Sequence, residues 1–265
     1  MVNSDSIRQS MSESLNPYAP PAAQIAGFSR DPLRSGEILS KAWFIYRKHF
    51  VLIALTVMVV WVPCELLVSY MDAFVFDEND TRRSFKFAQL VGNVFGVIGT
   101  AGVIHVAMNH SAGTPAGIGQ ALAAGLSNWF RMWWTQFLST LFLFLSFLLL
   151  ILPFFYLAPR LALVDNVVVC EGLTGTAAMR RSEELVQGHY WQMAGILCLQ
   201  LLMACLPILF YVGLALFEIE IPNWMLEAGV AVVFDIIAAF STVWLYCAYE
   251  AFSQKSSAKI AQPAA

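Results

Sequence analysis

The residues of this chain that could do chemistry are few, and most of them stand inside apolar runs. Arg160 and Asp165 lie in YLAPRLALVDNVVV, Glu65 in the run Val51 to Tyr70, Asp235 in the run Trp224 to Glu250, and His105 near the end of Phe87 to Met108. A charge at the centre of a bilayer costs at least about 2.5–3.5 kcal/mol on insertion scales, so such groups turn inward and find partners. If each run crosses a membrane, Glu65, Arg160 and Asp235 fall at comparable depth, with Asp165 and His105 nearer the inner side. Two uses follow. Arg160 pairs with Glu65 or Asp235 and pins the bundle, or it binds an anionic head group or substrate while the carboxylates relay protons. Outside the runs, Arg180 and Arg181 stand in LTGTAAMRRSEELVQGHYW, where they either touch anionic lipid phosphates or enforce topology.

Enzyme signatures do not occur. The chain has no nucleophile elbow, no H-E-x-x-H, no phosphate-cradling loop and no glycine-rich nucleotide fingerprint. His49, His110 and His189 sit at expected membrane boundaries and read as interfacial polar residues. The five cysteines (Cys64, Cys170, Cys198, Cys205 and Cys247) form no C-x-x-C pair, so they suggest neither a zinc site nor a disulfide framework. No catalytic residue, metal or cofactor is expected.

Composition explains why the chemistry is so thin. Of 265 residues, 58% are hydrophobic and 12% charged, against roughly 25% charged in a soluble domain. That is too little polar surface to coat a globule, and lipid is the solvent the composition calls for. A net charge of −3 argues against a nucleic-acid partner, which wants a concentrated basic face. No cleavable signal peptide opens the chain, so the first span is expected to direct insertion.

The elements that must carry these residues read in order. Residues 1–33, rich in Ser, Pro, Asn and Gln, read as a disordered tail. In SGEILSKAWFIYRKHF, Ile38, Leu39, Ala42, Trp43 and Tyr46 repeat at helical spacing opposite Glu37, Ser40, Lys41, Arg47 and Lys48. This fits a helix at the membrane interface. Spans of about 18 to 27 residues are expected over 51–70, 87–108, 133–152, 154–171, 192–216 and 224–250, each able to cross about 30 Å of hydrocarbon. Pro63 and Pro207 should bend two of them. Gly92, Gly96, Gly99 and Gly102 make a small-residue face where another helix can approach. A second amphipathic piece precedes Trp133, and a third covers Thr174 to Gly188. There Thr174 or Thr176 is a candidate N-cap, Gly188 a stop, and Arg180–Glu184 an i,i+4 pair. The chain thus predicts three interfacial helices, each leading into a two-span hairpin, in a loose threefold repeat. Residues 253–265 read as a polar tail.

Charge sidedness favours six spans over five. With the N-terminus inside, the inner segments hold Arg8, Arg30, Arg34, Lys41, Arg47, Lys48, Arg131, Arg180, Arg181, Lys255 and Lys259. The outer segments hold Arg82, Arg83 and Lys86, diluted by Asp77, Glu78 and Asp80. That is the positive-inside bias, and five spans would put Arg180 and Arg181 outside.

Arg160, Ala178, Arg180, Arg181, Ser182, Leu185, Gly188 and Trp191 form a pattern, A-x-R-R-S-x-x-L-x-x-G-x-x-W after an apolar segment. Over Tyr156 to Ile196 it resembles the membrane domain attached to some bacterial glycerophosphoryl diester phosphodiesterases, and related stand-alone bacterial inner-membrane proteins. The resemblance implies a six-helix membrane module. In those enzymes hydrolysis belongs to a soluble barrel with acidic metal ligands and histidines, for which this chain has no counterpart, so the resemblance argues against phosphodiesterase activity. The expectation is an all-α polytopic bundle of a bacterial inner membrane, N- and C-termini cytoplasmic. It would be a non-enzymatic module organising lipid or partner proteins, with membrane lipids and other membrane proteins as partners and no nucleic acid. The alternative is a small transporter or channel using the Arg160, Glu65 and Asp235 cluster.

Overall fold

The computed structural model describes residues 35–76, 81–149, 151–217 and 223–261; the expected disordered tail of residues 1–33 lies outside them. Every regular element among the described residues is helical: α1 (Ser35–Lys48), α2 (Phe50–Phe74), α3 (Thr81–Ser111), α4 (Ile118–Leu149), α5 (Ile151–Leu161), α6 (Val164–Glu171), α7 (Thr176–Val186), α8 (Tyr190–Leu216) and α9 (Trp224–Ala261). Six stretches are long and apolar enough to cross a membrane: 50–74, 82–111, 118–149, 153–171, 190–214 and 224–255. The chain is an all-α, multi-pass membrane bundle.

Two short amphipathic helices stand apart, α1 and α7. The second expected one does not. Ile118–Leu149 is one unbroken helix, because Pro115 and Gly117 stop the chain before it and no proline follows until Pro153. The expected boundary at Trp133 has no breaker to make it. This weakens the threefold repeat, whose middle unit lacks a separate opening helix. The last span runs on into the polar C-terminal segment, and α9 carries helix through Ala261. At 1.5 Å per residue, the 32 residues of α4 reach about 48 Å and the 38 of α9 about 57 Å. Both outrun a hydrocarbon layer of about 30 Å, so one end of the bundle projects beyond it.

That end holds the densest core. Ile38, Ala42 and Ile45 of α1 pack with Val103 to Ala107 of α3, Leu163 to Val169 around α6, Ala178, Leu185 and Val186 of α7, and Val243 to Phe252 of α9. The buried face of α1 includes Ile45, while Trp43, expected on it, is 56% exposed. The glycine stripe of α3 receives a side chain over most of its length: Trp61 of α2 lies against Gly92, Gly96 and Gly99. Backbones approach closely where α4 crosses α3, since a Cβ on Gly125 of α4 would meet the Ile98 carbonyl oxygen at 2.5 Å. At the far end, Leu141 to Leu149 of α4 and Leu201 to Leu216 of α8 leave most large side chains exposed.

Candidate functional site

The fourth span is broken, and the break is where the chain's motif residues meet. Pro159 lies inside α5, and having no N–H it cannot bond the carbonyl four residues back, that of Phe155. Tyr190 takes the vacancy, its hydroxyl donating to Phe155 O at 2.7 Å. Helix ends at Leu161 and resumes at Val164. Ser182 of α7, fully buried, bridges the gap: its Oγ accepts from Leu163 N at 3.3 Å and donates to Arg160 O at 2.6 Å. A buried backbone group without a partner costs about 1–3 kcal/mol, so the Ser182 hydroxyl lets a discontinuous helix sit in a core, while the Tyr190 bond lies on its exposed side. Ala178 at 0% and Leu185 at 2% exposure press α7 onto the break.

Ion pairs close the same region. The Arg160 guanidinium bonds Glu183 Oε1 and the Tyr156 hydroxyl, with its carbon 3.8 Å from the Tyr156 ring centroid. Arg181 Nε donates to both oxygens of Glu171 at 3.2 and 3.0 Å, and the Tyr249 hydroxyl donates to Glu171 at 3.0 Å. Arg181 also reaches Glu184 at 3.6 Å, and Arg180 pairs with Glu184 at 3.4 Å. One layer on, Glu250 of α9 accepts from Lys41 of α1 at 2.9 Å and Ser111 of α3 at 3.0 Å. His49, between α1 and α2, meets His110 with 2.9 Å between Nε2 and Nδ1. Burial and the neighbouring Lys48 hold the His49 imidazole below its usual pKa.

Measured against this geometry, the sequence-derived cluster divides. Arg160 does not pair with Glu65 or Asp235; Glu183 of α7, which packs against the broken span, claims it instead. Glu65 and Asp235 interact electrostatically across the α2–α9 contact, and Glu227 interacts with Glu65 in the same way. Asp235 Oδ2 is buried without a hydrogen-bond partner. Asp165 accepts from Gln136 Nε2 at 3.1 Å, and His105 shares a bond of 3.1 Å with Asn109. Neither is with Arg160. The expected caps at Thr174 or Thr176 are replaced by Gly175, at φ 59°, whose N–H is bound by Thr135 Oγ1 of α4 at 2.9 Å. Gly188, at φ 88°, follows α7 where a stop was expected. Glu171, Glu250, Tyr190 and Tyr249 also belong to the network, with no sequence pattern pointing to them, and Glu183 belongs to it as the partner of Arg160. Pro159 was the available signal, since it marks Phe155 O as needing a donor.

Among the described residues no His, Cys, Asp and Glu group of three or more could hold a metal. A groove of about 380 Å³ lies between α2, α3 and α4, lined by Val59, Pro63, Cys64, Phe95, Ile98 and Leu126 among others. Its walls are apolar, so it suits hydrocarbon better than water. No protein-family model, curated protein or solved structure matches the chain.

Proposed function

We propose that this protein is a non-enzymatic module of a bacterial inner membrane, with both termini cytoplasmic, that organises lipid or partner proteins around a rigid base. The observation that carries the proposal is the uneven burial of the spans. In the apolar windows of α4 and α8 only 11% of residues are buried within the chain, against 56% in α3. The base closes on itself through Ser182, Tyr190 and Glu171, and leaves two hydrocarbon-length surfaces facing outward. The likeness of Tyr156 to Ile196 to a membrane module that elsewhere accompanies a separate catalytic domain supports a supporting role. Photo-crosslinking side chains at Leu145 and Leu209, both exposed, are expected to capture lipid or one defined protein in native membranes, and the same probe at buried Val243 to capture neither. Equal labelling at all three positions would sink the proposal.

A second reading has one observation in its favour. Glu65 interacts electrostatically with both Glu227 and Asp235, without Arg160, and Asp235 Oδ2 lacks a partner, as a cation- or proton-coupled transporter would use. In a Cys-less background, a D235C reporter that reacts with membrane-impermeant thiol reagents would show water at that depth and favour transport. An unreactive reporter leaves the module proposal standing.

A further inference from the structure

The cations expected to touch lipid, Arg180 and Arg181, are occupied. Arg181 is held by Glu171 and Glu184, and Arg180 by Glu184. A different pair is not. Arg47 and Lys48, the last residues of α1, are exposed, and among the described residues no carboxylate lies within ion-pair distance of either. They stand immediately before the first span, which begins at Phe50. Trp43, Phe44, Phe50 and Val51 around them are 56%, 60%, 45% and 69% exposed. Lys48 Nζ lies 5.8 Å from the Phe44 ring centroid. The opposite face of α1 is committed to the base through Ile38, Ala42 and Ile45, so the corner is fixed in place with its cations and aromatics turned outward.

We propose that the α1–α2 corner is a docking site for an anionic phospholipid, whose phosphate meets Arg47 and Lys48 while its glycerol and upper acyl chains lie along Trp43, Phe44, Phe50 and Val51. The inference rests on the lipid-organising reading and narrows it to one site and one charge class. Charge complementarity commits the site to an anionic phosphate. Two uncompensated cations beside a hydrocarbon boundary attract anionic lipid by about 1 kcal/mol each near the surface. Exposed aromatic rings at that boundary prefer the head-group layer over either bulk phase.

The test uses the full chain, delipidated in neutral detergent and titrated with phosphatidylglycerol or phosphatidylcholine under native mass spectrometry. Wild type is expected to prefer phosphatidylglycerol, with an affinity that falls as salt rises. R47Q/K48Q is expected to lose phosphatidylglycerol affinity by about thirtyfold and to keep its phosphatidylcholine affinity. The exchanged R47K/K48R variant should recover most of the loss, which a misfolded or inverted protein would not. R180Q should match wild type. A phosphatidylglycerol preference that survives R47Q/K48Q would overturn this site and leave the lipid-organising reading intact. No preference in wild type would overturn the site and remove the lipid arm of that reading as well.

Discussion

Ser182 shows how one hydroxyl can decide whether a segment holds its place in a core. Its Oγ serves a donor and an acceptor on either side of the α5–α6 gap, so Ser182→Ala strands Leu163 N and Arg160 O together. A loss of about 1–3 kcal/mol is expected, read as a lower thermal midpoint in detergent, while Ser182→Thr would also crowd a fully buried position. The two arginines next to this gap should behave unequally. Arg160→Ala removes a partly exposed pair, with side-chain exposures of 26% and 49%, and should cost less than about 1 kcal/mol. Arg181→Ala leaves the less exposed Glu171 with only the Tyr249 hydroxyl, and should cost about 1.5–3 kcal/mol. Equal losses in the two variants would contradict that ordering. His49 makes a pH prediction. Its folded pKa lies below the unfolded value, so the fold binds its proton less readily than the unfolded chain. Stability is therefore full above the unfolded value of about 6.5 and falls as pH drops through the folded one. His189, held down by burial and by Lys255, acts in the same direction. A thermal midpoint that falls between about pH 7 and pH 5, and falls less in His49→Gln, is expected.

Among the elements, α3 and α4 form the seam most sensitive to volume. A Cβ on Gly125 would stand 2.5 Å from a backbone oxygen and 2.9 Å from Ile98 Cγ2, neither of which belongs to a flexible side-chain tip. Gly125→Ala is expected to destabilise by about 1–3 kcal/mol, whereas Gly119→Ala, with nothing within 4 Å, should be neutral or mildly stabilising through helix propensity. Chemical denaturation of the reconstituted variants compares the two directly. Gly96→Ala falls between them: its new Cβ would meet the Trp61 ring at 2.9 Å, and the indole would have to shift.

For the whole molecule, the decisive question is which side of the membrane holds the base. Single cysteines at Arg180, 84% exposed at its side chain, and at Asp72, exposed near the other end of α2, should react with impermeant thiol reagents from opposite faces. The Arg180 reporter is expected to react from the cytoplasmic face, as the positive-inside bias requires. Reaction of both from one face would break the six-span arrangement.

Legible in the chain alone were the class of solvent and most of the helices, though not the unbroken α4 or the gap between α5 and α6. Hydrophobicity and the shortage of charge are local properties, summed along a run and indifferent to what the run later touches. They were enough for an all-α, multi-pass bundle, for α1 and α7, and for the Arg180–Glu184 pair, whose partners lie on one helix face. Tertiary structure decided who partners whom. Depth alone pairs Arg160 with Glu65 or Asp235, since all three stand at similar depth in their runs. The fold instead brings α7 against the broken span and supplies Glu183 first. The same holds for Ser182, Tyr190 and Thr135. Each serves a backbone group that is left open by a proline, a helix gap or a glycine cap on another element, and such a need arises only once those elements are packed together.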